Sequence, residues 1–386
     1  MQPYPLHLDL NGRRVLVVGA GPVGVRRLRA LLEAGALADV VALDAPDGLG
    51  VPLQRRAFRA DDVDGAWLVM ACTGTVDADV AVACEDRGTW CVRADDASAS
   101  AAWVPAVLRH DDLAVSVTAG RDPRRAVAVR DAVGLALDTG TLPLRRVRPG
   151  PGSVALVGGG PGDPGLLTVR GRQLLAGADV VVRDRLAPAV DLPGVEVVEV
   201  GKSAHGPSWS QRDIEALLVE RASSGSRVVR LKGGDVHLFA RGIEEVEACV
   251  AAGLAVEVVP GVSSAFAAPA AAGIPVTAQG LTQSVTVLSA HVAPGDDRSS
   301  IDWAALARLG GTLVLLMAVE RLAAVCTALV AGGRPGPTPV AVIRDATLPT
   351  QEVVVTTLAS AALDAAHVAA PAVVVVGEVV SRRVVT

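Results

Sequence analysis

The stretches "VLVVGAGPVG" (residues 15–24) and "VALVGGGPGDPGLL" (154–167) each carry an apolar strand into a glycine-rich turn. Whether they are one device used twice decides both the fold and the chemistry. The first contains "GAGPVG", a literal G-x-G-x-x-G over residues 19–24, placed between a strand and a helix. In that pattern Gly19 permits the tight turn, Gly21 lets backbone approach a pyrophosphate, and Gly24 lets the helix pack closely. Asp44 ends the next strand about 20 residues further on, where an acid hydrogen-bonds an adenosine ribose. The plain alternative is a glycine turn in an α/β domain that binds nothing.

The "GPGDPG" run at 160–165 satisfies the same pattern but not the same chemistry. Pro161 and Pro164 have no N–H to offer a phosphate, and Asp163 would repel one. A loop with few donors, an acid and closely approaching backbone suits an uncharged or cationic ligand. S-adenosylmethionine, a nucleoside bearing a sulfonium and no phosphate, is such a ligand. The two loops therefore read as different devices.

The rest of the chain sets the frame. Its 386 residues suffice for more than one domain, and with 51% hydrophobic but only 2% aromatic residues the cores must be built from Ala, Val and Leu. That mix favours α/β layers. A net charge of −5 argues against general nucleic-acid binding. The cysteines Cys72, Cys84, Cys91, Cys249 and Cys326 form no C-x-x-C pair and read as small buried hydrophobes of a cytoplasmic protein. The start, "MQPYPLHLDL", resembles no signal peptide, and Gly and Pro cut every apolar run short of membrane-spanning length. A soluble protein without a membrane partner is expected. Only two of the 36 basic residues are lysines, Lys202 and Lys232. Arginine, unlike lysine, cannot release a proton near neutral pH.

Strand-like runs alternate with helical patterns through "RVLVVGA", "ADVVALD", "AWLVMACT" and "WCVRAD", the rhythm of a parallel sheet. The helix after the first loop should bury Val25, Leu28, Leu31 and Leu32, and Gly35 can end it. From 113 to 150 the texture shifts to a short amphipathic helix and an Arg-, Pro- and Gly-rich linker. Two further sets follow: "VALVG", "ADVVVRD", "VEVVEVG", "RVVRLKG", "VEVVPG", and then "SVTVLSA", "GTLVLLMA", "PVAVIRD", "QEVVVTTL", "AVVVVGEVV". The expected organisation is a Rossmann-like domain (1–112), a helical linker (113–150) and a two-lobed α/β domain (151–262 and 263–386).

The blocks "LVGGGPGDPGLLTVRGRQLLAGADVVVRDRL", "VGKSAHGPSWSQRDIEALLV", "VVRLKGGDVHLFARGIEEVEA" and "VVPGVSSAFAAPAAAGIPVT" resemble, in order, the uroporphyrinogen-III C-methyltransferases. "GTLVLLMAVERL" and "PAVVVVGEVV" extend the likeness over roughly 151–386. The N-terminal part is similar to precorrin-2 dehydrogenase/sirohydrochlorin ferrochelatase, and the two together have the layout of the siroheme synthases. The resemblance implies two methylations of uroporphyrinogen III to precorrin-2, NAD⁺-dependent oxidation to sirohydrochlorin, and insertion of Fe²⁺. It implies tetrapyrrole substrates and a homodimer.

The resemblance also places functional residues. Pro161, Gly233, Gly234, Asp235, Leu238, Ser263, Ser264, Met317 and Ala346 fall at methyl-donor positions, with Asp235 able to meet the donor's ammonium or a hydroxyl. Asp184 and Lys202 fall at an acid/base pair, and lysine can transfer a proton where arginine cannot. For Asp184 the plain reading is a helix cap at a strand end. Gly19, Gly21, Pro22, Val23, Gly24, Leu43 and Asp44 fall at NAD positions. Asp95 falls at a carboxylate that serves as base in oxidation and assists Fe²⁺ insertion, with Asp96 as a stand-in. Arg121, Arg124, Arg125 and Arg130 suit a polycarboxylate, or simply a solvated helix face. The chain departs from the family at Ala278 and Gln279, where His-Arg is usual, and at Val236 and Ala240 in the "GGD" block. Two alternatives stay open: a methyltransferase whose N-terminal module only binds NAD or dimerises, and a plain Rossmann dehydrogenase with an unrelated partner domain.

Overall fold

Near-continuous runs of Val, Leu, Ile and Ala form the strands, as expected for sheets covered on both faces. The computed structural model describes residues 4–120, 122–142, 144–145, 151–201 and 209–385. Two compact units emerge, Met1–Gly134 and Leu135–Thr386.

In the first unit β1 (Arg14–Val18), β2 (Leu37–Ala42), β3 (Leu53–Arg55), β4 (Leu68–Ala71) and β5 (Trp90–Arg93) form a parallel sheet of order β3-β2-β1-β4-β5. Helix α1 (Pro22–Glu33) packs Leu28 and Leu31 with Val15, Val17, Val40 and Met70 on one face. Helix α2 (Asp77–Glu85) packs Val80 and Cys84 with Leu16, Val18, Val69 and Ala71 on the other. Leu32, expected in the core, is 39% exposed, because the buried stripe of this helix is narrower than its apolar content suggests. Gly35, at φ +78°, turns the chain out of the helix as expected.

An antiparallel hairpin follows, β6 (Ala106–His110) and β7 (Leu113–Val117), and then α3 (Pro123–Asp138). The expected boundary at 112 therefore falls inside a hairpin, and the segment expected as helix and linker opens with a strand. The missed signal is the tight turn at Asp111, which adopts φ +49°, a conformation Asp tolerates better than most residues. Helix α3 is also longer than expected, at 16 residues.

The second unit holds two sheets. In its first lobe β8 (Ser153–Gly158), β9 (Val180–Arg183), β10 (Glu196–Glu199), β11 (Arg227–Lys232) and β12 (Ala255–Val259) are all parallel, in the order β10-β9-β11-β8-β12. Helix α4 (Val169–Ala176) covers one face through Leu175. Helices α5 (Gln211–Ser223) and α6 (Gly242–Ala251) cover the other through Ile214, Leu218 and Cys249. Helix α7 (Ser264–Ala271) opens the second lobe and packs Ala265 and Ala268 on its sheet. That sheet joins β13 (Val285–Ser289), β14 (Thr312–Leu316), β15 (Pro339–Arg344), β16 (Glu352–Thr357) and β17 (Ala372–Val376) in the order β13-β14-β17-β15-β16. It is mixed: β13 and β14 are parallel and the remaining pairs antiparallel. Helices α8 (Trp303–Arg308) and α9 (Leu322–Ala331), with the short α10 (Ala361–Asp364), close its outer face over Leu313, Leu315, Val340 and Val374. Each strand set read from the sequence is present; β3 and the hairpin were not anticipated.

Candidate functional site

In the first unit β1 and β4 are neighbours whose chain connections leave in opposite directions, so a crevice opens at their carboxyl ends. The glycine turn sits there, and each glycine has a separate reason. Gly19 adopts φ +97°, and a Cβ on it would meet the Cys72 carbonyl oxygen at 2.7 Å. A Cβ on Gly24 would lie 2.0 Å from the Gly19 oxygen, whereas one on Gly21 would meet nothing within 4 Å. The open space is thus at Gly21, the position expected to meet a pyrophosphate. Gly21 caps α1 without a side-chain bond and Pro22 opens it. Val25 donates to the Gly21 carbonyl, which leaves the N–H groups of Val23 and Gly24 outside the intrahelical ladder. Leu43 is 79% exposed beside the crevice rim, and the Asp44 carboxylate is fully exposed, 3.9 Å from Arg55.

Across from this turn, the loop after β4 is organised by Asp77, which is buried. Its carboxylate accepts from the Thr73 N–H (2.8 Å), the Thr73 hydroxyl (2.5 Å) and the Gly74 N–H (3.2 Å). Sequence reasoning passed over Asp77, although an acid in the first turn of a helix after "CTGT" is a cap signal.

Asp95 follows β5 and is gripped by Arg93 through two parallel bonds, Nε to Oδ1 at 2.9 Å and Nη2 to Oδ2 at 2.7 Å. The Arg93 guanidinium holds the Asp95 carboxyl below the usual carboxylate range. Asp96 is a cap, accepting from the Ser98 N–H and hydroxyl. Among the described residues no group of three or more His, Cys, Asp or Glu could hold a metal ion. Of the basic cluster, Arg124 and Arg125 are exposed on α3, Arg130 pairs with Asp131, and Arg121 lies outside the described residues.

In the second unit three loops leave the carboxyl ends of β8, β11 and β12 and meet backbone to backbone. Gly159 donates to the Lys232 carbonyl (2.7 Å), and Gly160 and Gly234 exchange N–H to carbonyl bonds at 3.2 and 2.7 Å. A Cβ on Gly261 would lie 2.2 Å from the Gly234 oxygen and 2.6 Å from Gly158, so no side chain fits. A Cβ on Gly234 would lie 3.9 Å from the backbone nitrogen of Ser264. Ser263 caps α7 through its hydroxyl. Pro161, Gly233, Gly234, Asp235, Ser263 and Ser264 are therefore brought into one cluster. The second lobe reaches it as well: the Asp163 N–H donates to the Thr347 hydroxyl, and Gly162 packs on Leu348. This loop carries Ala346.

Backbone strain gathers on the same side. Phe239, Arg241, Met317, Asp345 and Thr347 all adopt positive φ without being glycine, next to the expected Leu238, Met317 and Ala346. Such conformations persist where surroundings over-determine them, as at ligand sites.

Asp235 differs from expectation. Its Oδ1 accepts from the N–H groups of His237 (2.9 Å) and Leu238 (3.2 Å), and its Oδ2 from that of Gly261 (3.1 Å). Three of the roughly four lone-pair sites of a carboxylate are thus used inside the protein. Asp235 clasps two loops together before it can meet a ligand.

Asp184 lies just beyond β9, its side chain 31% exposed, on a cavity of about 550 Å³ that Gly233, Gly201 and Phe239 also line. The Arg230 Nη2 donates to its Oδ1 at 2.5 Å. Its expected partner Lys202 lies outside the described residues. The other lysine, Lys232, is buried on β11 and ion-paired to Glu245 of α6 at 2.9 Å. Burial, then the neighbouring Arg230, push the Lys232 ammonium below its ordinary range. Arg230 and Glu245 were also overlooked. Their signal is two charged residues at alternate positions of an apolar parallel strand, which require a buried partner.

Comparison with known proteins fits both halves of this geometry. The family model for Tetrapyrrole (Corrin/Porphyrin) Methylases matches residues 153–362, and an NAD(P)-binding model matches residues 6–106. A siroheme synthase of Azotobacter vinelandii is 34% identical, over 99% of this chain and 97% of that protein. The chain belongs to the siroheme synthase family. Within this family the C-terminal part has relatives of its own. An S-adenosyl-L-methionine-dependent uroporphyrinogen III methyltransferase of Methanosarcina barkeri is 46% identical, over 59% of this chain and 92% of that one. The crystal structure of uroporphyrin-III C-methyl transferase from Thermus thermophilus complexed with S-adenyl homocysteine matches at 38% identity and TM-score 0.52. It covers 60% of this chain and 99% of that one. Family membership excludes the plain dehydrogenase with an unrelated partner domain. No helix of the described residues is long and apolar enough to cross a membrane.

Proposed function

We propose that this chain makes siroheme from uroporphyrinogen III: two methylations give precorrin-2, oxidation gives sirohydrochlorin, and Fe²⁺ is inserted as the last substrate. When bound, S-adenosylmethionine supplies an electrophilic methyl group and NAD⁺ accepts a hydride. The observation that carries the reading is the contrast between the glycine turns. One has an open position at Gly21 beside unladdered N–H groups; the other has the N–H groups of Gly160, Asp163 and Gly165 already paired within the protein and none at Pro161 or Pro164. The first suits a pyrophosphate, the second a nucleoside without one.

In this reading Pro161, Gly233, Gly234, Leu238, Ser263, Ser264, Met317 and Ala346 form the donor cradle, with Asp235 holding its loops in place. Attack by a ring carbon on the methyl group leaves a proton to be managed. Asp184 takes it at Oδ2, since Oδ1 is occupied by Arg230, and Lys202 is its proton-transfer partner. Gly19, Gly21, Pro22, Val23, Gly24, Leu43 and Asp44 bind the dinucleotide, and Asp95 is the base for oxidation. A division into a dinucleotide-binding module and a two-lobed methyltransferase, a cytoplasmic location and a homodimer belong to the same proposal.

One observation favours a second reading, in which the N-terminal module binds NAD⁺ without oxidising anything: the Arg93 grip weakens Asp95 as a base. The deciding experiment is incubation of the full chain with uroporphyrinogen III and S-adenosylmethionine, then with NAD⁺ and Fe²⁺, followed by absorption spectroscopy. Sequential precorrin-2, sirohydrochlorin and siroheme are expected. Precorrin-2 that persists in excess NAD⁺ selects the second reading. Absence of any methylated product overturns both.

A further inference from the structure

Behind the Asp184 cavity lies a buried chain of charges that donor binding does not use. Glu245 is fully buried on α6, and its Oε1 accepts from Lys232 Nζ (2.9 Å), Arg230 Nε (3.2 Å) and Gln211 Nε2 (3.3 Å). Arg230 is itself 1% exposed and is held through all three guanidinium nitrogens. Its Nη1 donates to the Val182 and Leu231 carbonyls, and its Nη2 reaches forward to Asp184. The result is carboxylate, guanidinium, carboxylate in series, running from the core of the first lobe to the cavity wall. Arg230 and Lys232 share one face of β11, so a single acid opposite them can anchor both.

Burying two cations is costly unless an anion is beside them, and a strand held only by packing would not need them. Apolar residues would fill this layer at least as well for stability. What apolar residues could not do is fix a carboxylate at the cavity with a planar guanidinium bonded through all three of its nitrogens.

We propose that Glu245 is a positioning residue for methyl transfer: it fixes the Arg230 guanidinium, which in turn fixes the Asp184 carboxylate against the cavity. The inference rests on the acid/base reading of Asp184. Glu245 touches neither substrate nor donor. Its effect passes through Asp184 and belongs to the chemical step.

The test is a double-mutant cycle on the full chain, with initial rates of uroporphyrinogen III methylation and calorimetric binding of S-adenosylhomocysteine. Glu245→Gln keeps the shape and removes the charge. It is expected to lower kcat about tenfold to a hundredfold, the scale of a misplaced catalytic group, with KM and donor affinity within about twofold. Asp184→Asn is expected to lower kcat by more. Glu245→Gln added to Asp184→Asn should cost nothing further, because the group it positions is already gone.

Full kcat in Glu245→Gln, or losses that multiply in the double variant, would overturn the inference. A fully active Asp184→Asn would instead sink the acid/base reading on which it rests. Should Glu245→Gln fail to fold, the pair Glu245→Gln with Lys232→Met removes one charge of each sign. The same loss of kcat is expected there, and full kcat overturns the inference.

Discussion

The turns at 19–24 and 158–165 occupy equivalent places, each at the carboxyl end of a parallel strand, yet they dispose of their N–H groups in opposite ways. In the first, glycine makes room for a ligand: nothing lies within 4 Å of a Cβ on Gly21. In the second, glycine makes room for the protein itself. Gly158, Gly159 and Gly261 let three loops touch, and the N–H groups of Gly159, Gly160, Asp163 and Gly165 are all bonded internally. A helix start with open donors attracts phosphate. A loop whose donors are satisfied offers shape and carbonyl oxygens, which suit a sulfonium. Two matches to one letter pattern thus differ in what the absent side chains leave space for.

The strongest break in that comparison comes from adding a methyl group at each close contact. Gly261→Ala places carbon 2.2 Å from the Gly234 oxygen, and Gly24→Ala places it 2.0 Å from the Gly19 oxygen. Backbone must shift in both, at a cost of about 1–3 kcal/mol or more. Gly261→Ala is expected to abolish measurable S-adenosylhomocysteine binding and leave NAD⁺ titration intact, and Gly24→Ala to do the reverse. Loss of both ligands in either variant would mean that the two loops do not serve separate sites.

Gly21→Asp sharpens the contrast, because the added side chain enters free space and the fold should survive. Thermal unfolding is expected to be unchanged, whereas NAD⁺ affinity falls by about two orders of magnitude through blockage and charge repulsion. Methylation should persist. A variant that still titrates with NAD⁺ would remove the pyrophosphate from this turn.

A smaller effect belongs to Asp235→Ala. It leaves the N–H groups of His237, Leu238 and Gly261 without their shared acceptor. Loosening of the cradle should weaken S-adenosylhomocysteine by about 1–3 kcal/mol, the usual cost of unpairing a charge-assisted bond. Calorimetry on this variant against the parent measures it, and an unchanged dissociation constant would show that the loops hold without the clasp.

How much of this was legible in the sequence follows from the range of the interactions. Parallel strands such as "RVLVV" and "AVVVV" announce themselves because burial on both faces demands continuous apolar residues. The tight turn at Gly19 and the close packing at Gly24 were equally plain, since a strand–turn–helix fixes them locally. β3, at three residues, and the hairpin at 106–117 are too short and too exposed to impose a pattern. The Arg230–Glu245–Lys232 cluster joins a strand to a helix, and only the fold reveals which acid meets which base. Asp235 was expected to face a ligand, and its three backbone bonds were not legible, because a carboxylate beside glycines can serve either. The Arg93 grip on Asp95 could have been read, as the two residues sit at alternate positions at the end of β5.

That grip yields the smallest and most discriminating expectation. Arg93 depresses the Asp95 carboxyl, so in the intact chain Asp95 stays ionised to a lower pH than an ordinary aspartate. In Arg93→Ala its pKa should rise toward the usual range. A reaction that needs the ionised base then fails earlier as pH falls, and the acid limb of the oxidation profile moves to higher pH. Above that limb the freed carboxylate is the stronger base, so oxidation at neutral pH should rise, by less than about tenfold. The methylation profile, proposed to depend on Asp184 in the other unit, should not move. An oxidation limb that stays in place would take Asp95 out of the chemistry. Should oxidation appear only when Arg93 is removed, Arg93 is the residue that separates a dinucleotide-binding module from a dehydrogenase.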